Sequence, residues 1–297
     1  MYDVIIIGAG PAGLTAAIYA LMANKKVLIF EARSYGGQIV NAGVIKNYPG
    51  LPGISGFDFA TKLYEQVKSL GGEIKFETVI RIEEDKSVIT KKGTYNAKAI
   101  IVATGASKRK LKTENEEKYI GRGVSYCATC DGNLYKEKNV AVVGSGKTAI
   151  EDAIYLSDIV NKVYLINNKE EFNVDKIYID KLKGIKNIEI LLNYNVVRIN
   201  GDKKVSSIDI VDNTNLSKQI ELEGIFIAVG QEPQNDIFSN ILELDEKGYI
   251  KTEDGVHTNV DKIYVAGDNK KKLLKQLVTA ESDGAIAATV AIKEMER

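Results

Sequence analysis

The chain has 297 residues, of which 44% are hydrophobic and 27% charged, a balance typical of a globular protein large enough for two domains. Its forty basic and forty acidic residues cancel, which excludes the broad positive field that attracts nucleic acid or anionic membranes. No run approaches the roughly 18 consecutive apolar residues of a membrane span, and no basic segment precedes the first apolar run. We therefore expect a cytoplasmic protein that binds neither nucleic acid nor membrane.

A glycine motif follows the first predicted strand, residues 4–7, and precedes a helical stretch that starts at residue 14. In a GxGxxG motif with this context, Gly8 makes the tight turn and Gly10 lets the backbone approach a pyrophosphate. Gly13 allows close packing of helix on strand, so that the helix N-terminus faces the anion. The motif predicts a dinucleotide-binding unit.

The second predicted strand, residues 26–30, ends at Glu31. A carboxylate about 20 residues beyond the glycines suits the two hydroxyls of a ribose and repels a 2′-phosphate. The alternative is a glycine-rich turn that binds no ligand. The strand, helix and acid together favour the dinucleotide site.

The same pattern returns after a predicted strand at residues 139–143. Gly144, Gly146 and Ala149 take the motif positions there, and a further strand at residues 162–166 completes the unit. Two such units in one chain predict two dinucleotide folds.

Strands that end in glycine close each unit near Gly105 and Gly230, and these endings are interpreted as the crossovers between domains. A late strand, residues 263–265, leads to Asp268, which stands where an open α/β sheet binds its ligands, and a helix is predicted to follow at residues 277–295. The fold class predicted is α/β, with two Rossmann-like dinucleotide-binding domains and the central one inserted into the other. The expected parts are the first part of the outer dinucleotide-binding domain, the central dinucleotide-binding domain and the second part of the outer domain, at residues 1–112, 113–242 and 243–297.

The only two cysteines, Cys127 and Cys130, form a CxxC sequence, which suits a redox pair in a reducing compartment. Half of a zinc site is the alternative, but it needs about four ligands, and the single histidine, His257, lies far away in a predicted surface turn. No metal is expected. A helix starting at the pair favours the thiolate form, and Asp131, directly after it, can pass a proton to a departing sulfur.

The order of several motifs resembles that of the low-molecular-weight thioredoxin reductases over nearly the whole chain. The motifs are residues 8–13, Gly36-Gly37-Gln38, Asn47-Tyr48-Pro49-Gly50, Ala103-Thr104-Gly105, the CATCD sequence of residues 127–131, and Gly267-Asp268. The position of CATCD between two dinucleotide units is the most specific of these. The resemblance implies a homodimer with one FAD per subunit that acts on thioredoxin. It also makes the outer domain the FAD-binding domain and the central one NAD(P)-like.

By the same resemblance, one set of residues contacts FAD: Gly8, Gly10, Gly13, Glu31, Gly37, Gln38, Asn47, Asp268 and Gln276. Lys275 stands where family members usually have arginine, a departure that conserves the charge. The resemblance also implies that Cys130 lies nearest the flavin, that Cys127 attacks the thioredoxin disulfide, and that Asp131 is the general acid. Alternative functions are reduction of a peroxiredoxin or glutaredoxin-like protein, or a non-enzymatic redox sensor on the same fold.

The electron donor stays open between NAD(P)H and ferredoxin. NADPH-dependent members carry a basic His-Arg-Arg-x-x-x-Arg run after the second strand of the central unit, whereas this chain has Asn167, Asn168, Lys169 and, at the last position, Asn173. Only Lys169 keeps a positive charge, and the acid that would hold the ribose of NADH is also missing. A branch of the family without the basic run takes electrons from ferredoxin.

The run Lys270-Lys271-Lys272, with Lys275, directly follows the FAD-site acid Asp268. A basic patch beside a flavin is able to steer an acidic partner such as ferredoxin. A solvated lysine loop is the simpler interpretation.

Overall fold

A computed structural model describes residues 1–172, 174–182 and 184–296 of the chain. It divides into two compact units, one formed by residues 1–107 and 232–297 and the other by residues 108–231. The chain passes between them shortly after Gly105 and Gly230, and the segments 106–108 and 231–233 pair as a two-stranded sheet. The domain boundaries at 112/113 and 242/243 stay predictions.

The described residues form six α-helices. They are α1 (Pro11–Met22), α2 (Gly56–Ser69), α3 (Ala128–Asp131), α4 (Lys147–Ser157), α5 (Lys176–Leu182) and α6 (Leu277–Met295).

The strands are also numbered in chain order. They are β1 (Tyr2–Ile7), β2 (Val27–Glu31), β3 (Glu73–Phe76), β4 (Val79–Ile82), β5 (Ser87–Thr90), β6 (Gly93–Val102), β7 (Ala106–Lys108), β8 (Val124–Ser125), β9 (Asn139–Val143), β10 (Lys162–Asn167), β11 (Ile188–Leu192), β12 (Tyr194–Gly201), β13 (Val205–Asp212), β14 (Ser217–Glu221), β15 (Gly224–Ile227), β16 (Gln231–Pro233) and β17 (Ile263–Val265).

The first unit is built on a sheet whose central strands are parallel. Their order is β3-β2-β1-β6, and β17 pairs with the C-terminal half of β6. The antiparallel strands β5 and β4 extend the sheet from the N-terminal half of β6. Because β1, β2, β6 and β17 run in one direction, their carboxyl ends meet at one edge, where such sheets bind ligands.

Alternating side chains of β1 fill two cores, one on each face of this sheet. Val4 and Ile6 pack with the alanine-rich sides of α1 and α6, while Ile5 and Ile7 face the opposite core. Val4, Ile5 and Ile6 are fully buried. Each such side chain stabilises the fold by about 1.5–3 kcal/mol relative to an exposed position, and β-branched residues favour the strand that buries them on both faces.

The second unit repeats the plan with a five-stranded sheet of order β11-β10-β9-β15-β8, in which every neighbouring pair is parallel. An antiparallel sheet, β12-β13-β14, joins it. Val140 and Val142 of β9 face the core under α4, and Ala141 and Val143 face the core shared with β12 and β13. The predicted fold class is confirmed. No helix within residues 1–172, 174–182 and 184–296 is both long and apolar enough to span a membrane.

A charged cluster ties the turn at residues 254–257 to the C-terminal helix. His257 Nδ1 lies 2.5 Å from Asp254 Oδ2, and its Nε2 lies 3.0 Å from Glu294 Oε1. The second oxygen of Glu294 accepts a hydrogen bond of 2.6 Å from Tyr264. The carboxylates of Asp254 and then Glu294 raise the pKa of His257 above its ordinary value of 6.5. The predicted surface histidine is thus a partly exposed linking residue.

We predict that the stabilisation by His257 depends on pH. Because its pKa is higher in the folded state, the charged imidazole stabilises the fold fully below about pH 6.5, and the effect is lost as pH rises through the folded-state pKa. His257→Gln is expected to lower the melting temperature by about 2 °C near pH 6 and to have little effect at clearly alkaline pH.

The control is Lys247→Gln, an exposed charge removed from the same unit. Its effect on the melting temperature is expected to be the same at both pH values. A His257→Gln deficit that does not shrink at alkaline pH would contradict the assignment.

Candidate active site

The glycine turn after β1 is packed against the end of β6. Gly8 has a φ of +109°, and a Cβ atom at this position would lie 2.4 Å from the carbonyl oxygen of Ala103. A Cβ on Gly13 would lie 1.9 Å from the carbonyl oxygen of Gly8. Both positions therefore exclude any side chain, as the sequence motif indicates.

Glu31 holds this turn from the end of β2. Its Oε2 accepts a hydrogen bond of 2.9 Å from the amide of Ala9, and its Oε1 accepts one of 2.9 Å from the amide of Arg33. The carboxylate thus joins the carboxyl ends of β1 and β2. The position of the acid could be predicted from the sequence, but these backbone contacts could not.

Two further predicted groups meet near the start of α6. Asn47 Nδ2 donates a hydrogen bond of 2.9 Å to Gln276 Oε1. Gln276 is the N-cap residue of α6 and forms a reciprocal capping box with Thr279. Gly37 begins a 3₁₀ turn beside Gly10, and Gln38 is exposed on the same turn. Glu31, Gly10 and Gly37 therefore meet at the glycine turn, whereas Asn47 and Gln276 meet at the start of α6.

The lysine run after Asp268 is not a solvated basic patch. Lys270 is 4% exposed, and its ammonium lies 3.0 Å from Asp283 Oδ1. The ammonium of Lys272 lies 2.9 Å from both Asp268 Oδ1 and Asp283 Oδ2. For Lys270 and Lys272, both predicted interpretations, a docking patch and a solvated loop, are therefore wrong, because the side chains pair with two carboxylates. Of the three lysines, only Lys271 is exposed.

Two buried asparagines, which sequence analysis did not single out, support the same region. Asn235 Nδ2 donates to the carbonyl oxygens of Gly248 and Asn269, at 2.9 and 2.7 Å. Asn269 Nδ2 donates to the carbonyl oxygen of Val102 at 3.0 Å. These amides join the loop after β17 to the end of β6. Their partners are distant in sequence, so no local pattern marks them.

The second unit contains the cysteine pair. Cys127 and Cys130 form a disulfide with their Cα atoms 5.3 Å apart, which is the usual spacing. Cys127 is the N-cap residue of the single-turn helix α3, and its Sγ lies 3.5 Å from Thr129 Oγ1. The two sulfurs are thus held at bonding distance by one helical turn.

Asp131, at the end of α3, is bound by a serine that sequence analysis missed. Ser125 Oγ donates a hydrogen bond of 2.6 Å to Asp131 Oδ2 and accepts one of 3.1 Å from the amide of Cys127. Ser125 is 5% exposed. A serine two residues before a CxxC sequence gives no signal of its own, because hydroxyls are common in strands.

The second glycine motif starts α4, whose N-cap residue Gly146 has no side-chain cap and has open space at its Cβ position. Gly144 packs against Ala149 and the carbonyl oxygen of Ala228. At the end of β10, Asn167 is 1% exposed, and its side chain bonds the amide of Lys169 at 3.0 Å and the carbonyl oxygen of Glu171 at 2.8 Å.

The side-chain amide of Asn167, at the end of β10, is therefore bonded within its own loop. Asn168 and Lys169 are exposed there. Asn173 lies outside the described residues.

Comparison with known proteins places these features in one family. The family model for pyridine nucleotide-disulphide oxidoreductases matches residues 2–284. The thioredoxin reductase of Borreliella burgdorferi is 41% identical over 292 residues, covering 96% of this chain and 90% of the relative. The crystal structure of the thioredoxin reductase from Streptococcus pyogenes matches with a TM-score of 0.94 and 38% identity, covering 100% of this chain and 98% of that one.

A ferredoxin-flavin thioredoxin reductase from Clostridium acetobutylicum is 33% identical with a TM-score of 0.54, over 99% of this chain and 98% of that one. The chain belongs to the pyridine nucleotide-disulphide oxidoreductase family. It is an FAD-dependent disulfide oxidoreductase, and the predicted likeness to thioredoxin reductases is confirmed.

The residues of the first unit fit FAD. Gly10, the N-cap residue of helix α1, provides no side-chain cap, and a Cβ built on it would meet only Gly37, at 3.9 Å. The helix N-terminus is therefore open to a pyrophosphate. Glu31 stands at the end of the neighbouring strand, where the ribose of a dinucleotide binds.

We predict that the protein purifies with one FAD per chain and that Glu31→Arg lowers FAD affinity by about 10-fold or more. The substitution removes the ribose acceptor together with the bond to Ala9, and one lost charge-assisted hydrogen bond costs about 1.5–3 kcal/mol. Flavin content after purification and titration of the apoprotein with FAD measure the effect.

Glu77→Arg is the matched control, since this acid lies in the same unit but its contacts are to Thr90, Tyr95 and Lys92. Purification with FMN, or unchanged FAD affinity in Glu31→Arg, would show that the glycine motif and Glu31 are wrongly assigned to FAD binding.

Proposed function

We propose that the protein is a thioredoxin-disulfide reductase in which FAD passes two electrons to the Cys127–Cys130 disulfide and the resulting dithiol reduces thioredoxin. The observation that carries this proposal is the disulfide at the start of α3 with a carboxylate one residue beyond it. Bound FAD would supply the two electrons. The chain itself contributes the sulfurs, their spacing and a proton donor. The homodimer and the cytoplasmic location stay predictions.

The roles within the pair follow from thiol chemistry and the family resemblance. Reduction of the disulfide gives two thiols; Cys127, as a thiolate, attacks the thioredoxin disulfide, and Cys130 then resolves the mixed disulfide. Thr129 Oγ1, 3.5 Å from Cys127 Sγ, is placed to donate a hydrogen bond to that sulfur. Asp131 supplies a proton to a sulfur that leaves as thiolate.

Cys127→Ser and Cys130→Ser are each expected to abolish thioredoxin reduction while FAD stays bound, because exchange needs an attacking and a resolving sulfur. The measurement is anaerobic reoxidation of photoreduced flavin by a purified thioredoxin, which needs no natural electron donor. Ser217→Ala serves as the control, because it removes an exposed hydroxyl on β14 of the same unit and keeps both sulfurs. Turnover at the wild-type rate in either serine variant would refute the assignment.

For the electron donor, we propose reduced ferredoxin over NADPH. The end of β10 presents Asn168 and Lys169 to solvent where a 2′-phosphate needs several cations, and Asn167 is committed to its own loop. Each missing charge-assisted contact costs about 1.5–3 kcal/mol, so two weaken NADPH binding by about two orders of magnitude or more. The similarity to a ferredoxin-flavin thioredoxin reductase supports the same proposal. Lys270 and Lys272 do not support it, because both are paired with carboxylates and do not form an exposed docking patch.

Stopped-flow reduction of the flavin, with ferredoxin, NADH and NADPH at matched concentrations, tests the donor. Reduced ferredoxin is expected to be much faster than NADPH. Fast, saturable reduction by micromolar NADPH would show that Lys169 and the glycine turn are sufficient. Preference for NADH would equally contradict the proposal.

A gain-of-function variant in the loop after β10 tests whether the missing cations limit the use of NADPH. Asn168→Arg is expected to raise kcat/KM for NADPH by about 10-fold, since it restores one charge-assisted contact to the 2′-phosphate. The rate with NADH should not change, because NADH lacks that phosphate. Asn168→Gln, which adds length without charge, is the control.

A further inference from the structure

We infer that Ser125 is a positioning residue that orients Asp131 for proton transfer to the Cys127–Cys130 pair. This inference rests on the proposed function of the pair. Ser125 is the last residue of β8, which pairs in parallel with β15 at Phe226, so the hydroxyl starts from the edge of the sheet of the second unit. The serine is thus fixed to the sheet, whereas the disulfide lies on a single helical turn.

Three hydrogen bonds close a ring around the cysteine pair. The amide of Cys127 donates to Ser125 Oγ at 3.1 Å, and Ser125 Oγ donates to Asp131 Oδ2 at 2.6 Å. The amide of Asp131 donates to the carbonyl oxygen of Cys127 at 3.1 Å. Every member of the ring therefore restrains the other two, and the carboxylate is fixed relative to the first cysteine.

The hydroxyl of Ser125 has one proton and two acceptors within reach. Asp131 Oδ2 lies at 2.6 Å and the carbonyl oxygen of Cys127 at 3.4 Å. The shorter bond ends on a carboxylate, and charge-assisted bonds are shorter and stronger than bonds between neutral groups. Ser125 therefore donates to Asp131. Its 5% exposure keeps water from competing for the same oxygen.

The position of the carboxylate matters because of the proton balance. When the disulfide takes two electrons from reduced FAD, the S–S bond breaks and two sulfurs need two protons to become thiols. One of these protons would come from reduced FAD with the electrons, and Asp131 gives the other to the leaving sulfur and regains it from solvent. With Oδ2 held by Ser125, the second oxygen, Oδ1, is the one left to carry this proton.

The test is a double-mutant cycle on the holoenzyme. Ser125→Ala is expected to lower the limiting rate of flavin reoxidation by thioredoxin about 10-fold, part of the roughly 10²-fold effect of a general acid. The thioredoxin concentration at half-saturation should not change. In an Asp131→Asn background, where no acid is left to orient, Ser125→Ala is expected to cost less than about 2-fold.

Three controls separate positioning from a general loss of structure. Ser125→Thr keeps the hydroxyl and is expected to restore most of the rate. Ser207→Ala removes a hydroxyl that is 4% exposed on β13 of the same unit and is expected to leave the rate unchanged. Flavin absorbance and melting temperature verify that each variant is folded.

A second readout does not depend on thioredoxin. Reduction of the Cys127–Cys130 disulfide by dithiothreitol also releases a thiolate, so Ser125→Ala should slow it in wild type but not in Asp131→Asn. If the wild-type enzyme fails to reduce thioredoxin, the proposed function is wrong, and this readout still decides the role of Ser125. An equal loss in both backgrounds would overturn the inference.

Discussion

The first unit depends on one steric constraint, the contact between the glycine turn and the end of β6. A Cβ on Gly8 would lie 2.4 Å from the carbonyl oxygen of Ala103, and one on Gly13 would lie 1.9 Å from the carbonyl oxygen of Gly8. With hydrogen in both places, α1 starts directly above the sheet edge where β2 and β17 also end. The N-terminus of α1, the carboxylate of Glu31 and the loop of Asp268 therefore lie at the same edge of the sheet.

Charge balance at that edge follows from the same geometry. The loop after β17 must return to the start of α6, and in doing so it places Asp268 near Asp283 of the helix. Two carboxylates this close repel each other, and Lys272 lies 2.9 Å from both. Lys270 adds a second cation at Asp283. The lysines thus neutralise carboxylates that the fold brings together, which explains why a run that looks basic in sequence contributes little positive field.

The parts of the molecule that could be predicted from sequence are those determined by local pattern. The isoleucine run of β1, the glycine motifs and the CxxC pair each carry their signal within a few residues, and the helix predicted for residues 277–295 is α6 as observed. The inward turn of Lys270 and the bonds of Asn235 and Asn269 depend on partners tens of residues away. The composition of the loop after β10 showed that cations were missing, but only the structure shows that Asn167 caps its own loop.

Two sets of hydrogen bonds within the second unit support the cysteine pair, one through Ser125 and one through Tyr126. Ser125 holds one side of the ring, and the neighbouring Tyr126 is held by Glu116, whose Oε1 accepts its hydroxyl at 2.6 Å. Glu116 is 2% exposed and also accepts the amides of Leu111 and Lys112, at 3.0 and 2.7 Å. A buried carboxylate is tolerated only when its oxygens are bonded in this way. Because a helix of one turn is not stable by itself in water, α3 depends on these flanking bonds to hold the cysteine pair and Asp131 in place.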